Sequence, residues 1–276
     1  MPAVESDLAR LFEQPEEAID LGRAALLVAC TEYPELDLGA ELARLDGLAR
    51  EAEPHLRVQA GNPGRVAALC FYLADVCGFH GNEHDYYDTK NSFLNQVLER
   101  KTGIPITLSV VYMEVGRRLG LPLFGVGLPG HFLVKYQDSR QALFFDPFHG
   151  GRRITATDCR GMVTEMYEGK IQFQEEFLAA VTKKYILLRM LNNLRGIYLN
   201  HRQLRKALLV VEMILSLEPD SGADLKQRGL IHYRLHNYRQ ARQDLESYLL
   251  LMSKVLDAEE VKQTLTEMKR FSAMLN

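Results

Sequence analysis

Cysteine is scarce in this sequence, four in 276 residues, and the four are scattered. Cys30, Cys70, Cys77 and Cys159 make no CxxC pair and no compact disulfide framework. That excludes a cysteine-stapled secreted scaffold and leaves reduced thiols in a reducing compartment. A surplus of one charge is also missing: 33 Lys plus Arg face 36 Asp plus Glu, so no electrostatic footprint asks for nucleic acid or an anionic membrane surface. No apolar run approaches the roughly 20 residues that span a bilayer. The opening stretch MPAVESDLARLFEQPEEAID is acidic and amphipathic, where a secretory leader needs basic residues ahead of an apolar run. These absences lead us to expect a cytoplasmic protein with no nucleic-acid or membrane partner and no cofactor.

What is present suits an ordinary globular protein: 47% hydrophobic residues in a chain long enough for two domains. From about residue 4 to 80 apolar residues recur at spacings of three and four, as in Leu8, Leu11 and Phe12, then Leu21, Ala24, Ala25 and Val28, then Val66, Leu69, Leu73 and Val76. This period predicts three or four helices, broken at Pro34 and at Gly61-Asn62-Pro63-Gly64. A further helix is expected over 91–101 and an apolar one over 107–119, stopped by Gly120. Short β-rich runs follow at 123–127, 132–136 and 142–145, separated by turn residues, the pattern of a small antiparallel sheet.

The last third is helical again. Residues 185–217 and 223–252 each read as two helices joined by a polar turn, and they superpose at an offset of 34 residues: Leu204 with Tyr238, Ala207 with Ala241, Val211 with Leu245. That is the period of a tetratricopeptide repeat, whose small residue lets paired helices approach and whose pattern places an aromatic at Tyr198 and a proline at Pro219. The second copy has His232 and Ser253 at those places. Residues 257–274 read as a polar capping helix. Two repeats bury too little to stand alone, so docking on the preceding domain of the same chain is expected.

Residues 86–151 carry the chemistry. His131 opens a strand after the turn Pro129-Gly130, and Asp146 ends a neighbouring strand before Pro147. A His facing an Asp in this way is the orienting pair of a nucleophile triad, in which the carboxylate fixes the imidazole tautomer and the other ring nitrogen takes a proton. The segments GIPITLSVVY (103–112), PGHF (129–132) and DPFHGG (146–151), followed by the repeats, make the whole chain resemble the bacterial SirB-type proteins, a family without an assigned activity that joins a transglutaminase-like core to tetratricopeptide repeats. The resemblance implies an α+β, papain-like fold. It also implies a catalytic order of Cys, His, Asp, of which the last two map onto His131 and Asp146. Counting back from Gly120, the cysteine position falls at 105–107, and none of Pro105, Ile106 and Thr107 is a thiol.

Thr107 and Ser109 are the hydroxyls near that helix start, weak candidate nucleophiles for which an ordinary capping role is the stronger reading. Cys70 and Cys77 lie on an apolar helical stretch, where a thiol is inert. The run His80, Glu83, His84, Asp85, Asp88, with His149 as a possible addition, contains ligand types but no zinc spacing, so we expect a solvated loop and no metal. Tyr86, Tyr87 and Asn91 either cover a core edge or wall a binding groove, and His149 is taken with them as a binding candidate. The basic cluster Arg195, Arg202, Arg205, Lys206, Arg239 and Arg242 reads as a solvated face, with an acidic peptide as the sharper alternative.

Three parts are therefore expected: 1–80, the helical part of the core; 81–165, the transglutaminase-like core; and 180–276, the repeats with a capping helix. The adopted reading is a non-catalytic protein that binds a peptide or protein partner in a regulatory or scaffolding role. The competing one is a hydrolase or acyltransferase on amide or thioester bonds.

Overall fold

The computed structural model describes residues 2–251 and 258–274. It divides into two units, Leu11–Met190 and Met1–Arg10 together with Leu191–Asn276. Four helices come first: α1 (Pro2–Phe12), α2 (Leu21–Ala29), α3 (Leu38–Arg57) and α4 (Gly61–Phe71). Asp20 and Asp37 cap α2 and α3, their carboxylates accepting from the amides of Arg23 at 2.8 Å and Ala40 at 3.0 Å. A single π-turn, Tyr72–Val76, closes α4. Strand β1 (His80–Gly81) then pairs in parallel with β2 (Thr102–Gly103), and between them runs α5 (Leu94–Arg100).

The next helix, α6 (Pro105–Arg118), organises the larger unit. Every residue from Pro105 to Gly116 is buried, because α2, α3, α4 and α5 pack around it together with the sheet that follows. A helix enclosed in this way is apolar on all sides, which is why its sequence shows no stripe. It begins two residues earlier than the apolar spacing predicts. Proline at the first helical position gives up an N–H that would have no partner there, and its φ is already helical.

The sheet is antiparallel throughout, in the order β6-β5-β4-β3-β7. Its members are β3 (Leu123–Val126), β4 (Leu133–Gln137), β5 (Ala142–Asp146), β6 (Arg152–Ile154) and β7 (Ala180–Val181), with α7 (Ala156–Met166) before the last. Pairing of Leu123 with Tyr136 and of Tyr136 with Leu143 sets the register of the three central strands. The two edge strands have three and two residues, too short for their alternation to be read in advance.

Helix α8 (Lys183–Asn200) leads into α9 (Leu204–Leu217), α10 (Gly222–Arg234), α11 (Tyr238–Leu251) and α12 (Ala258–Met274). Residues matched at the 34-residue offset are matched in burial too: Ala207 and Ala241 are fully buried, and so are Val211 and Leu245. Close approach is enforced at Gly229, where a Cβ would meet Leu245 at 2.8 Å. Arg228 on α10 makes a two-pronged bond to the buried Asp244 of α11, at 2.8 and 2.6 Å. Arg195, placed in the basic cluster by sequence, pairs with Asp224, and Arg242 with Glu246 at 3.8 Å. Ser253 and Asp257 lie outside the described residues.

Candidate functional site

The turn between β3 and β4 delivers His131. Gly130 holds a φ of +71°, which calls for glycine, and a Cβ there would meet the sulfur of Met166, a flexible side chain that would have to shift. The turn is fixed from behind by Arg189, whose guanidinium donates at 2.8 Å to the carbonyls of both Leu128 and His131. His131 is 6% exposed and Asp146, at the end of β5, is fully buried. Nε2 of His131 lies 3.0 Å from Oδ1 of Asp146. The same oxygen accepts from the amides of Phe148 at 3.1 Å and His149 at 3.4 Å, since Asp146 caps the short 3₁₀ turn Pro147–His149. The other oxygen, Oδ2, lies 2.6 Å from Nδ1 of His149. One carboxylate thus holds two imidazoles.

Burial by itself would raise the Asp146 pKa, but hydrogen bonds and charge from His131, and then from His149, outweigh it and leave the carboxyl below its usual value. Asp146 is therefore ionised at neutral pH, able to orient both rings. Among the described residues the remaining nitrogen of His131, Nδ1, receives no hydroxyl and no thiol.

In front of the pair opens a cleft of about 720 Å³. Pro105, His131, Tyr86, Tyr87, Phe148 and His149 line it together with Met162, Glu165 and Met166 of α7, Glu83 and Arg152. No Cys, Ser or Thr stands among these lining residues. Of the three positions where the sequence leaves room for a cysteine, Pro105 is the one that reaches the cleft.

The expected site residues separate accordingly. Tyr86, Tyr87 and His149 line the cleft with His131, and Tyr86 packs edge-on against both Tyr87 and Phe148. Burial, and then Tyr87, push the Tyr86 phenol above its ordinary pKa. Asn91 is elsewhere: it is fully buried, and its amide donates to the carbonyls of Asp85 at 2.7 Å and Tyr86 at 3.3 Å, anchoring the loop that carries the tyrosines. Thr107 donates to the carbonyl of Asn91 at 2.7 Å and its oxygen accepts from the Ile104 amide at 3.2 Å. Ser109 is buried, its hydroxyl without a partner. Neither hydroxyl lines the cleft. Burial pushes the Cys70 thiol up to about 12 and Cys159 up to about 11, which removes both as thiolates near neutral pH.

Glu165 and the two methionines of α7 were missed in sequence, although their spacing of three and four marks one helical face. The run 80–88 does not gather into a metal cluster. Among the described residues, the potential ligands that the fold brings together are His131, Asp146 and His149, with donor atoms all within 4.8 Å of one another.

Residues 40–192 match the sequence profile of the transglutaminase-like superfamily. The chain belongs to this superfamily. Residues 194–266 match a tetratricopeptide repeat profile, so the transglutaminase-like domain is followed by repeats, as the 34-residue offset predicts. A UPF0162 protein of Xylella fastidiosa is 36% identical, covering 92% of this chain and 91% of its own. A UPF0162 protein of Pseudomonas aeruginosa is 30% identical, with 92% of both chains covered. F-box only protein 21 of Homo sapiens is 29% identical over 94% of this chain but only 45% of that protein. A transglutaminase-like domain joined to repeats of a kind that generally mediates protein contacts suggests an interaction role. Among the described residues no helix is long and apolar enough to cross a membrane.

Proposed function

We propose that this is a non-catalytic transglutaminase-like protein that binds a peptide or protein partner in the cytoplasm, in a scaffolding or regulatory role, with a peptide segment seated in the cleft beside His131. One observation carries the reading: the cleft is open and walled by Tyr86, Tyr87, Phe148, Met162 and Met166, Pro105 lines it, and no Cys, Ser or Thr does. A positioned His acting alone supplies roughly 10²–10⁴-fold, short of the ~10⁶-fold or more of an ordinary enzyme. The match to less than half of F-box only protein 21 supports a module that works joined to other parts.

The test is a peptide library presented to the full-length protein, followed by fluorescence polarisation of enriched sequences. Tyr87→Ala and Met166→Ala, both at exposed positions, are expected to weaken binding at least tenfold without loss of fold. No enrichment over an unfolded control, or binding indifferent to both variants, would refute the proposal.

The intact His131–Asp146 pair favours a second reading, a hydrolase or acyltransferase on amide or thioester bonds with Thr107 or Ser109 as nucleophile. Thr107 is committed to a backbone carbonyl and Ser109 is enclosed, so turnover of thioester or activated-amide substrates that Thr107→Val or Ser109→Ala abolishes is what this reading requires.

A further inference from the structure

We infer that His131, Asp146 and His149 form a binding site for a divalent transition-metal ion of the zinc class, at the floor of the cleft. The inference is independent of peptide binding. An orienting pair needs one imidazole on its carboxylate, and here there are two, one on each oxygen. Their ring centroids are 5.8 Å apart, and all three donor atoms fall within 4.8 Å of one another.

Two of the three ligand-to-ligand edges are near coordination distance, each to a different oxygen of Asp146, and the donor atoms, which lie within 4.8 Å of one another, must close further onto one ion. Zinc binds imidazole nitrogen and carboxylate oxygen at about 2.0–2.2 Å, which separates neighbouring ligand atoms by roughly 3.0–3.4 Å. Nε2 of His131 and Oδ1 of Asp146 are already 3.0 Å apart. Nδ1 of His149 and Oδ2 are at 2.6 Å, so this edge must open by a few tenths of an ångström. The His149 side chain is 36% exposed and can yield. The amides of Phe148 and His149 hold Oδ1 from behind, a support that orients a ligating carboxylate.

The proton balance closes without an added reagent. A ring nitrogen that donates to Asp146 must present a lone pair to the metal, so its proton moves to the ring's other nitrogen, Nδ1 in His131 and Nε2 in His149. Two neutral imidazoles therefore bind the ion with no net proton release, and a charged ring loses one proton to solvent. Two imidazoles with one carboxylate select first-row transition ions over Ca²⁺ or Mg²⁺, which take oxygen donors. The cleft gives entry, and Glu83 and Glu165 in its lining draw cations inward.

The experiment is titration of the metal-free full-length protein with ZnCl₂ by calorimetry, and with Co²⁺ followed by its visible absorption. One ion per chain is expected, with His149→Gln at least tenfold weaker and His80→Gln and His84→Gln unchanged. His149→Gln is the decisive variant because its side chain is partly exposed, and circular dichroism checks that it folds. Absence of binding, or binding that His149→Gln leaves intact, overturns the site. Peptide binding measured in chelator is a separate readout, so failure of one leaves the other standing.

Discussion

If Pro105 occupies the place of a nucleophile, a cysteine put there should become unusually acidic. The change Pro105→Cys, made in a Cys30→Ser, Cys77→Ser background, leaves Cys70 and Cys159, which burial holds at about 12 and about 11. Fold cost should be moderate, because Pro105 is buried. The N–H that cysteine adds at the first position of α6 belongs to a set that has no helical partner, and losing the fixed proline φ costs about 0.4–1 kcal/mol. The new thiol faces the positive end of an enclosed helix and His131 across the cleft, conditions that lower a thiol pKa from about 8.5 into the range of roughly 3.5–7.5.

The size of the rate effect is modest, and its position on the pH axis is what decides. Taking a pKa of about 6, the thiolate fraction at pH 6.5 rises from about 1% to about 75%. Intrinsic nucleophilicity falls as the pKa falls, with a coefficient of about 0.45, so about 13-fold is lost over ~2.5 units and about 6-fold remains. Alkylation by iodoacetamide, followed by intact mass from pH 4 to 10, should therefore inflect near 6, and His131→Gln should move the inflection upward. An inflection near 8.5, unmoved by His131→Gln, would refute the assignment of Pro105 to the nucleophile position.

Three further outcomes are expected. Gly130→Ala should destabilise the protein by about 1–2 kcal/mol through its left-handed backbone alone, read as a shift in urea midpoint, and Met166→Ala should relieve only the added clash. Asp244→Ala should cost about 2–4 kcal/mol by stranding Arg228, less than a fully buried pair because the Arg228 side chain is 28% exposed; a thermal midpoint that does not move would show the pair to be idle. Burial, against the opposing pull of Asp244, lowers the pKa of His232. The unfolded chain therefore binds the proton more readily, stability is full above about 6.5 and falls as pH drops below it, and His232→Gln should flatten that slope in thermal melts between pH 7.5 and 5.

How much of this could be read in advance depends on whether the signal was local. PGHF and DPFHGG located His131 and Asp146 because a turn before a strand and a proline after one are local marks. The 34-residue offset located the repeats for the same reason. Positions 105, 107 and 109 could not be told apart: successive residues of α6 are turned by 100°, and a helix buried on every side has no polar stripe to give its phase. Asn91 was a groove candidate because it stands in the same stretch as Tyr86 and Tyr87, whereas the fold spends its amide on the carbonyls of Asp85 and Tyr86. His149 was named for binding, but its hold on Asp146 exists only through the 3₁₀ turn that the same carboxylate caps.

A His–Asp pair without a nucleophile has a physical reason to persist. Asp146 receives two imidazoles and two backbone amides, and hydrogen bonds to a charged group are worth about 1.5–3 kcal/mol each. Removing it strands a buried imidazole and uncaps the turn beneath the cleft, a loss of several kcal/mol against a total stability of about 5–15 kcal/mol. Pro105 carries less of this burden: it is buried at the start of α6 and lines the cleft, but it holds no imidazole and caps no turn. The nucleophile position is thus the cheapest part of the constellation to lose and Asp146 the most expensive. The share of His131 and Asp146 in the fold is therefore enough to account for the pair, and we propose that the chemistry of this cleft lies with the residues that line it.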